Sequence, residues 1–267
     1  MPARESESLV LRTYPFGEAD LIVSFIARDR GKLRGAAKGV RRPKNRFGSG
    51  LERLSHIRLF YYERENRELA RLDRCELLSP PLFLRADYAT SVALDFLAEV
   101  SDQLLPEHEP NDAFFRLLLL VLDDLRGPAG NGDAAAENAA GTESTLDATA
   151  RLWRALTYFL LWSVKLGGWL PSLTVCAETG RELAADEAAC YAPGWPGVFA
   201  EGQRRGGQKL SAESRALAYE MLRKPLPKLQ AAHWTRATAA DLRRYLLQVL
   251  EEQFERRIKT AEVLEQI

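Results

Sequence analysis

Histidine and cysteine are both scarce, three of each in 267 residues, and their placement excludes whole classes of chemistry. Cys75, Cys176 and Cys190 are too few and too unevenly spaced for a secreted disulfide framework, which points to the reducing cytoplasm. A structural zinc site needs four Cys or His donors, usually as two close pairs. Cys176 and Cys190 stand 14 residues apart, Thr179 occupies the place three residues after Cys176, and His56, His108 and His233 lie far off in sequence. No metal is expected. The chain also lacks a GxxxxGK[ST] loop, a GxSxG elbow and a His-rich metal motif, so neither a catalytic residue nor a cofactor is expected. Long apolar runs are missing too. Glu5, Glu7 and Arg12 interrupt any leader-like segment, and the apolar stretch around 156–164, flanked by Arg154 and Lys165, is too short to span a membrane.

Net charge is absent overall, but the zero is a sum of two unequal parts. Residues 1–79 carry 17 Lys/Arg against 11 Asp/Glu, leaving 20 against 26 for the remainder. The excess concentrates at 28–46, where nine Lys or Arg meet one acid, Asp29. Lys32, Arg34 and Lys38 stand at even positions and Leu33, Gly35, Ala37 and Gly39 at odd ones, so an extended chain puts its cations on one face. Arg41, Arg42, Lys44 and Arg46 continue the strip through a segment broken by Pro43 and rich in glycine (Gly48, Gly50), which reads as a mobile loop. Such a density of like charge suits a polyanion, because counterion release rewards contact with a phosphate backbone. The alternative is a solvated strand and loop that bind nothing.

The first eighty residues read as five strands, at 7–14, 20–27, 31–38, 56–64 and 68–77, each with period-2 alternation or a β-branched and aromatic run. Five short strands suit a small closed barrel of the OB type, which presents a sheet face and loops to oligonucleotides. In the fourth strand Ile57, Leu59 and Tyr61 face inward and leave Arg58, Phe60 and Tyr62 outside, where aromatics could stack on bases or pack under a helix. Beyond Pro80-Pro81 the pattern turns helical, at 87–105, 111–126, 146–166, 211–222 and 238–258, with Asn111, Asp112 and Ser211 as candidate caps and Gly167-Gly168 as a stop. The fold class is therefore α+β: a five-stranded barrel at 1–79 and a mostly helical domain at 80–267. Within the latter, 127–145 has no aromatic or branched apolar residue and is expected to be disordered. The segment 171–207 looks like a finger without zinc ligands, held by Leu183, Trp195 and Phe199.

The stretches ESLVLRTYPFGEADLIVSF and GKLRGAAKGVRRPKNRFGSGL resemble the N-terminal strands of the RecO family of bacterial recombination mediators and DNA-repair proteins, and LGGWLPSLTVC and LEEQFERRIKT extend the resemblance through the helical part. The resemblance implies an OB-fold domain joined to a helical domain with a finger-like element, in a cytoplasmic, nucleoid-associated protein that is not an enzyme. It also implies binding of single- and double-stranded DNA, annealing of complementary strands, and recombinase loading with RecR on DNA coated by single-strand-binding protein. Many members carry a four-cysteine zinc site. Only Cys176 stands where such a ligand is expected, with Thr179, Ala200 and Gln203 in the other places. An RNA-binding barrel, or a scaffold whose basic strip meets an acidic protein, are the competing readings.

Overall fold

A computed structural model describes residues 3–63, 68–79, 87–127, 145–203, 206–230 and 234–266. Most of the expected insertion at 127–145 and the Pro80-Pro81 break lie outside them. The chain divides into two compact units, one of Met1–Arg116 with Ile258–Ile267 and one of Leu117–Arg257.

The first unit is built on five strands: β1 (Ala3–Phe16), β2 (Asp20–Ala27), β3 (Gly31–Ala37), β4 (His56–Tyr62) and β5 (Ala70–Ser79). They close in the order β1-β2-β3-β5-β4. Closure depends on the length of β1. Its first half, from Ala3 to Leu9, pairs antiparallel with β4, and its second half, from Ser8 to Phe16, pairs with β2. A bulge between Val10 and Arg12 bends the strand between its two partners. β3 and β5 complete the circle through a short parallel ladder. This is the expected OB-like barrel. Period-2 alternation fills it: Val10, Val23, Phe25, Leu33, Ile57, Leu59, Tyr61 and Leu72 are buried together, and Tyr61 meets the Phe25 ring edge-on at 5.8 Å.

Helix α1 (Tyr88–Leu104) begins where the Asp87 carboxylate accepts the Thr90 amide at 2.8 Å. The segment after it runs beside β3: Lys32 and Glu107 form a parallel bridge, and the His108 amide donates to the Lys32 carbonyl at 3.0 Å. Gly31 has φ 75°, and a Cβ there would overlap the Glu109 backbone, so this turn accepts only glycine. Asn111 caps α2 (Asp112–Arg126) by accepting the Phe114 amide at 3.0 Å.

In the second unit α3 (Thr145–Leu166) packs against α4 (Ala212–Arg223) and α5 (Ala240–Phe254). No helix among the described residues is long and apolar enough to cross a membrane. The last helix does not run from 238 to 258 as its apolar stripe suggests. It ends at Glu255, whose φ of 51° is left-handed, and Ile258, fully buried, leads into a separate helix, α6 (Lys259–Leu264), in the first unit. The finger-like segment is likewise more regular than expected, with a small sheet of β6 (Ala189–Tyr191), β7 (Phe199–Ala200) and β8 (Gln208–Leu210) in the order β7-β6-β8.

Candidate nucleic-acid interface

The basic stretch falls on β3 and on the turns that leave it, and the structure separates its cations into two groups. In β3 the odd positions are buried, so Lys32 and Arg34 share the outer face as the alternation requires. Both are engaged there. The half-buried Lys32 ammonium donates to the Asp102 carbonyl oxygen at 2.6 Å, and Arg34 pairs with Glu107 at 2.8 Å. Asp102 also accepts from the Ser24 hydroxyl at 2.7 Å, so the end of α1 covers this half of the outer face. Arg28 pairs with Glu7 and Asp112, and Arg30 with Glu63. Arg46, though 72% exposed, pairs with Asp73 at 2.9 Å.

Lys38, Arg41, Arg42 and Lys44 form the second group. All four are exposed, and none has a carboxylate partner among the described residues. Their loop is tied down. Gly39, at φ 69°, turns the chain out of β3 and donates its amide to the Asp20 carboxylate at 2.8 Å. The Arg41 amide donates to the Ala19 carbonyl at 3.1 Å. At the far end Asn45 accepts the amides of Phe47 and Gly48, both at 2.8 Å, and Phe47 and Leu51 are buried in the barrel core. The backbone is thus held at both ends while four ammonium and guanidinium groups project into solvent. That arrangement raises local positive potential, with no carboxylate paired to these four side chains among the described residues.

The outer face of β4 is different. Arg58 lies between Glu5 at 3.2 Å and Glu76 at 3.6 Å. The Arg74 guanidinium sits 3.5 Å from the centroid of the Phe60 ring and pairs with Glu76, so that ring already has a cation on its face. Glu76 is held below its usual carboxylate value chiefly by its hydrogen bond from Arg74. Tyr62 is half-buried and paired in register with Arg71, an exposed cation that reading the sequence did not single out. Arg71 in turn is registered with Ala36 of β3, one strand from the basic loop. The structure therefore gathers Lys38, Arg41, Arg42 and Lys44, brings Arg71 and Tyr62 to the neighbouring strands, and engages Lys32, Arg34, Arg46, Arg58 and Phe60 with partners inside the protein.

Sequence reading also missed the aromatics on the other side of the loop. Tyr14 and Phe16, 41% and 51% exposed, project from the outer face at the end of β1. Phe16 is registered with Asp20, the residue that anchors Gly39, and Tyr14 with Ile22, itself registered with Ala36. The Arg12 guanidinium donates to the Tyr14 hydroxyl at 3.5 Å. The available signal was the i, i+2 spacing of Tyr14 and Phe16 just before Gly17.

In the finger-like segment no group of three or more His, Cys, Asp or Glu among the described residues is placed to hold a metal. Cys176 retains a cradle of donors. Burial pushes its thiol up, but hydrogen bonds from the Thr179 hydroxyl and from the Ala200, Thr179 and Glu178 amides outweigh this and bring it down to about 7. The other three places hold Thr179, Ala200 and Gln203, which do not fit a tetrahedral thiolate site. A side chain from α4 fastens the segment instead. The buried Arg215 guanidinium donates to the carbonyls of Leu173 at 2.7 Å, Ala184 at 3.1 Å and Glu187. Arg181 adds a bidentate pair with Glu187, and Trp195 meets Phe199 edge-on at 4.8 Å.

Two family models match this chain: that described as Recombination protein O N terminal over residues 1–81, and that described as Recombination protein O C terminal over residues 85–140 and 142–262. The chain is 42% identical over 265 residues to the DNA repair protein RecO of Koribacter versatilis, covering 99% of each. It is 34% identical over 195 residues to that of Nocardioides sp., covering 72% of this chain and 71% of the relative. With the protein of the same name from Cutibacterium acnes it shares 32% identity over 182 residues, 67% of each.

Proposed function

The chain belongs to the recombination protein O family of DNA repair and recombination proteins, non-enzymatic mediators, and from that membership we propose that its barrel binds DNA strands and promotes their annealing. The observation that carries the reading is the loop in which Lys38, Arg41, Arg42 and Lys44 have no side-chain partner among the described residues, on an OB-like barrel. These cations neutralise phosphate without reading sequence, because contacts to the backbone position a strand and leave base edges unoccupied. Two coated strands then approach with their mutual repulsion reduced and their bases free to pair. Both single- and double-stranded DNA present the required phosphates. In this reading the nucleic-acid-binding domain is the barrel at 1–79, which lies within the first compact unit, and the helical part is left for protein partners: RecR, with which the recombinase is loaded, and the single-strand-binding protein that coats gaps.

A strand-annealing assay across a salt series tests this. The protein should accelerate pairing of complementary oligonucleotides at low salt and lose that effect steeply as salt rises. Acceleration that is absent, or indifferent to salt, would remove the phosphate mechanism and favour a scaffold that meets an acidic protein.

A further inference from the structure

The end of β1 carries two aromatic residues, Tyr14 and Phe16, that are 41% and 51% exposed, an arrangement that neither the barrel core nor the loop's anchoring requires; the Arg12 guanidinium stands 5.9 Å from the Tyr14 ring centroid, farther than the 3.5 Å of Arg74 over Phe60. Tyr14 and Phe16 point outward with Ile22 and Ala36, on the half of the β1-β2-β3 face that α1 leaves uncovered. Adjacent strands lie about 4.8 Å apart, which puts Tyr14 roughly 10 Å from Ala36. Lys38 follows Ala36 by two residues, and Arg41 is bonded through its amide to the β1–β2 turn. Glu18 is the exposed acid at that turn, and the Asp20 carboxylate is engaged with the Gly39 amide. Rings and cations thus project from neighbouring strands and turns at one end of the β1-β2-β3 sheet. A duplex offers phosphates to the cations but keeps its base faces stacked. A single strand offers both.

We propose that Tyr14 and Phe16 form a base-stacking platform beside the Lys38–Lys44 loop, making this site selective for single-stranded over double-stranded nucleic acid. The inference rests on the reading of the barrel as a phosphate-binding site and adds what that site does with the bases. Every base has a π-face, so the platform is indifferent to sequence. The rings are paid for by exposure of apolar surface in the free protein, which stacking removes from water.

The test compares three probes of equal length by fluorescence anisotropy: a labelled oligothymidine, an abasic strand with the same phosphates, and a duplex. The wild-type protein should prefer oligothymidine to the abasic strand. In the Tyr14→Ala/Phe16→Ala variant affinity for oligothymidine should fall about tenfold or more, while abasic and duplex binding stay within about twofold, a change within the reach of ordinary surface substitutions. The gap between base-bearing and abasic strands then closes. A Tyr14→Leu/Phe16→Leu variant keeps apolar area without π-faces, and should lose discrimination as the alanine variant does; thermal melts verify that both fold. Equal loss on all three probes, or no loss of oligothymidine binding while Lys38→Ala/Arg41→Ala/Arg42→Ala/Lys44→Ala loses it, overturns the stacking platform but leaves the phosphate site standing. Full affinity in both variants overturns the site and the platform together.

Discussion

Arg215 shows how a single side chain can organise a finger-like segment whose sequence lacks the ligands for a metal. Its guanidinium joins carbonyls on both sides of the Cys176 turn, and burial lowers its pKa from the usual guanidinium value. Arg215→Met keeps an unbranched apolar stem and deletes all the donors, leaving the carbonyl of buried Leu173 without this bond at about 1–3 kcal/mol. The expected result is faster amide exchange across 173–200 with α3 unaffected; unchanged exchange there would show that Trp195, Phe199 and Leu183 suffice. Arg215 was illegible in sequence because it lies some thirty residues from the carbonyls it binds. The same limit applied to Arg34 and Lys32. Alternation placed them on one face correctly, but nothing local revealed that Glu107 and the Asp102 carbonyl would meet them. Phe60 and Tyr14 illustrate the converse, since their exposure depends on Arg74 and on the reach of α1, neither of which a strand pattern encodes.

At the scale of elements, α6 depends on one carboxylate. Glu99 of α1 accepts the amides of Lys259 at 3.2 Å and Thr260 at 2.9 Å and the Thr260 hydroxyl at 2.6 Å, satisfying donors that a helix start leaves open. Burial alone would raise its pKa, but these hydrogen bonds outweigh it and hold the group below its usual 4.5. A depressed folded-state pKa means stability that is present above 4.5 and lost as pH falls through the lower, folded value. Protection of the Thr260–Leu264 amides relative to their intrinsic exchange should therefore fall on acidification, and Glu99→Gln should show that reduced protection already at neutral pH. Equal protection in both proteins across the range would contradict the clamp. Elements with strong periodicity were legible: β2 runs from Asp20 to Ala27 as its alternation predicts, and α3 stops at Gly167-Gly168. The break at Glu255 was not, because the apolar stripe continues to Ile258 and a stripe says nothing of which unit it faces. Nor were β6, β7 and β8, since strands of two or three residues are too short to display a period.

For the whole molecule, the charge split along the chain was the most informative quantity in the sequence, and the structure sharpens it. Of nine cations at 28–46, four remain without a carboxylate or carbonyl partner among the described residues, and all four lie in the loop. The central claim is that this loop, rather than the strand before it, meets phosphate. The slope of log affinity for single-stranded DNA against log salt measures it, since each phosphate contact on a single strand contributes about 0.7. The Lys38→Ala/Arg41→Ala/Arg42→Ala/Lys44→Ala variant should fold normally and flatten the slope by up to about 2.8, while Lys32→Met should lower stability and leave the slope as in the wild type. An unchanged slope in the folded loop variant, or an equal flattening in Lys32→Met, would contradict it.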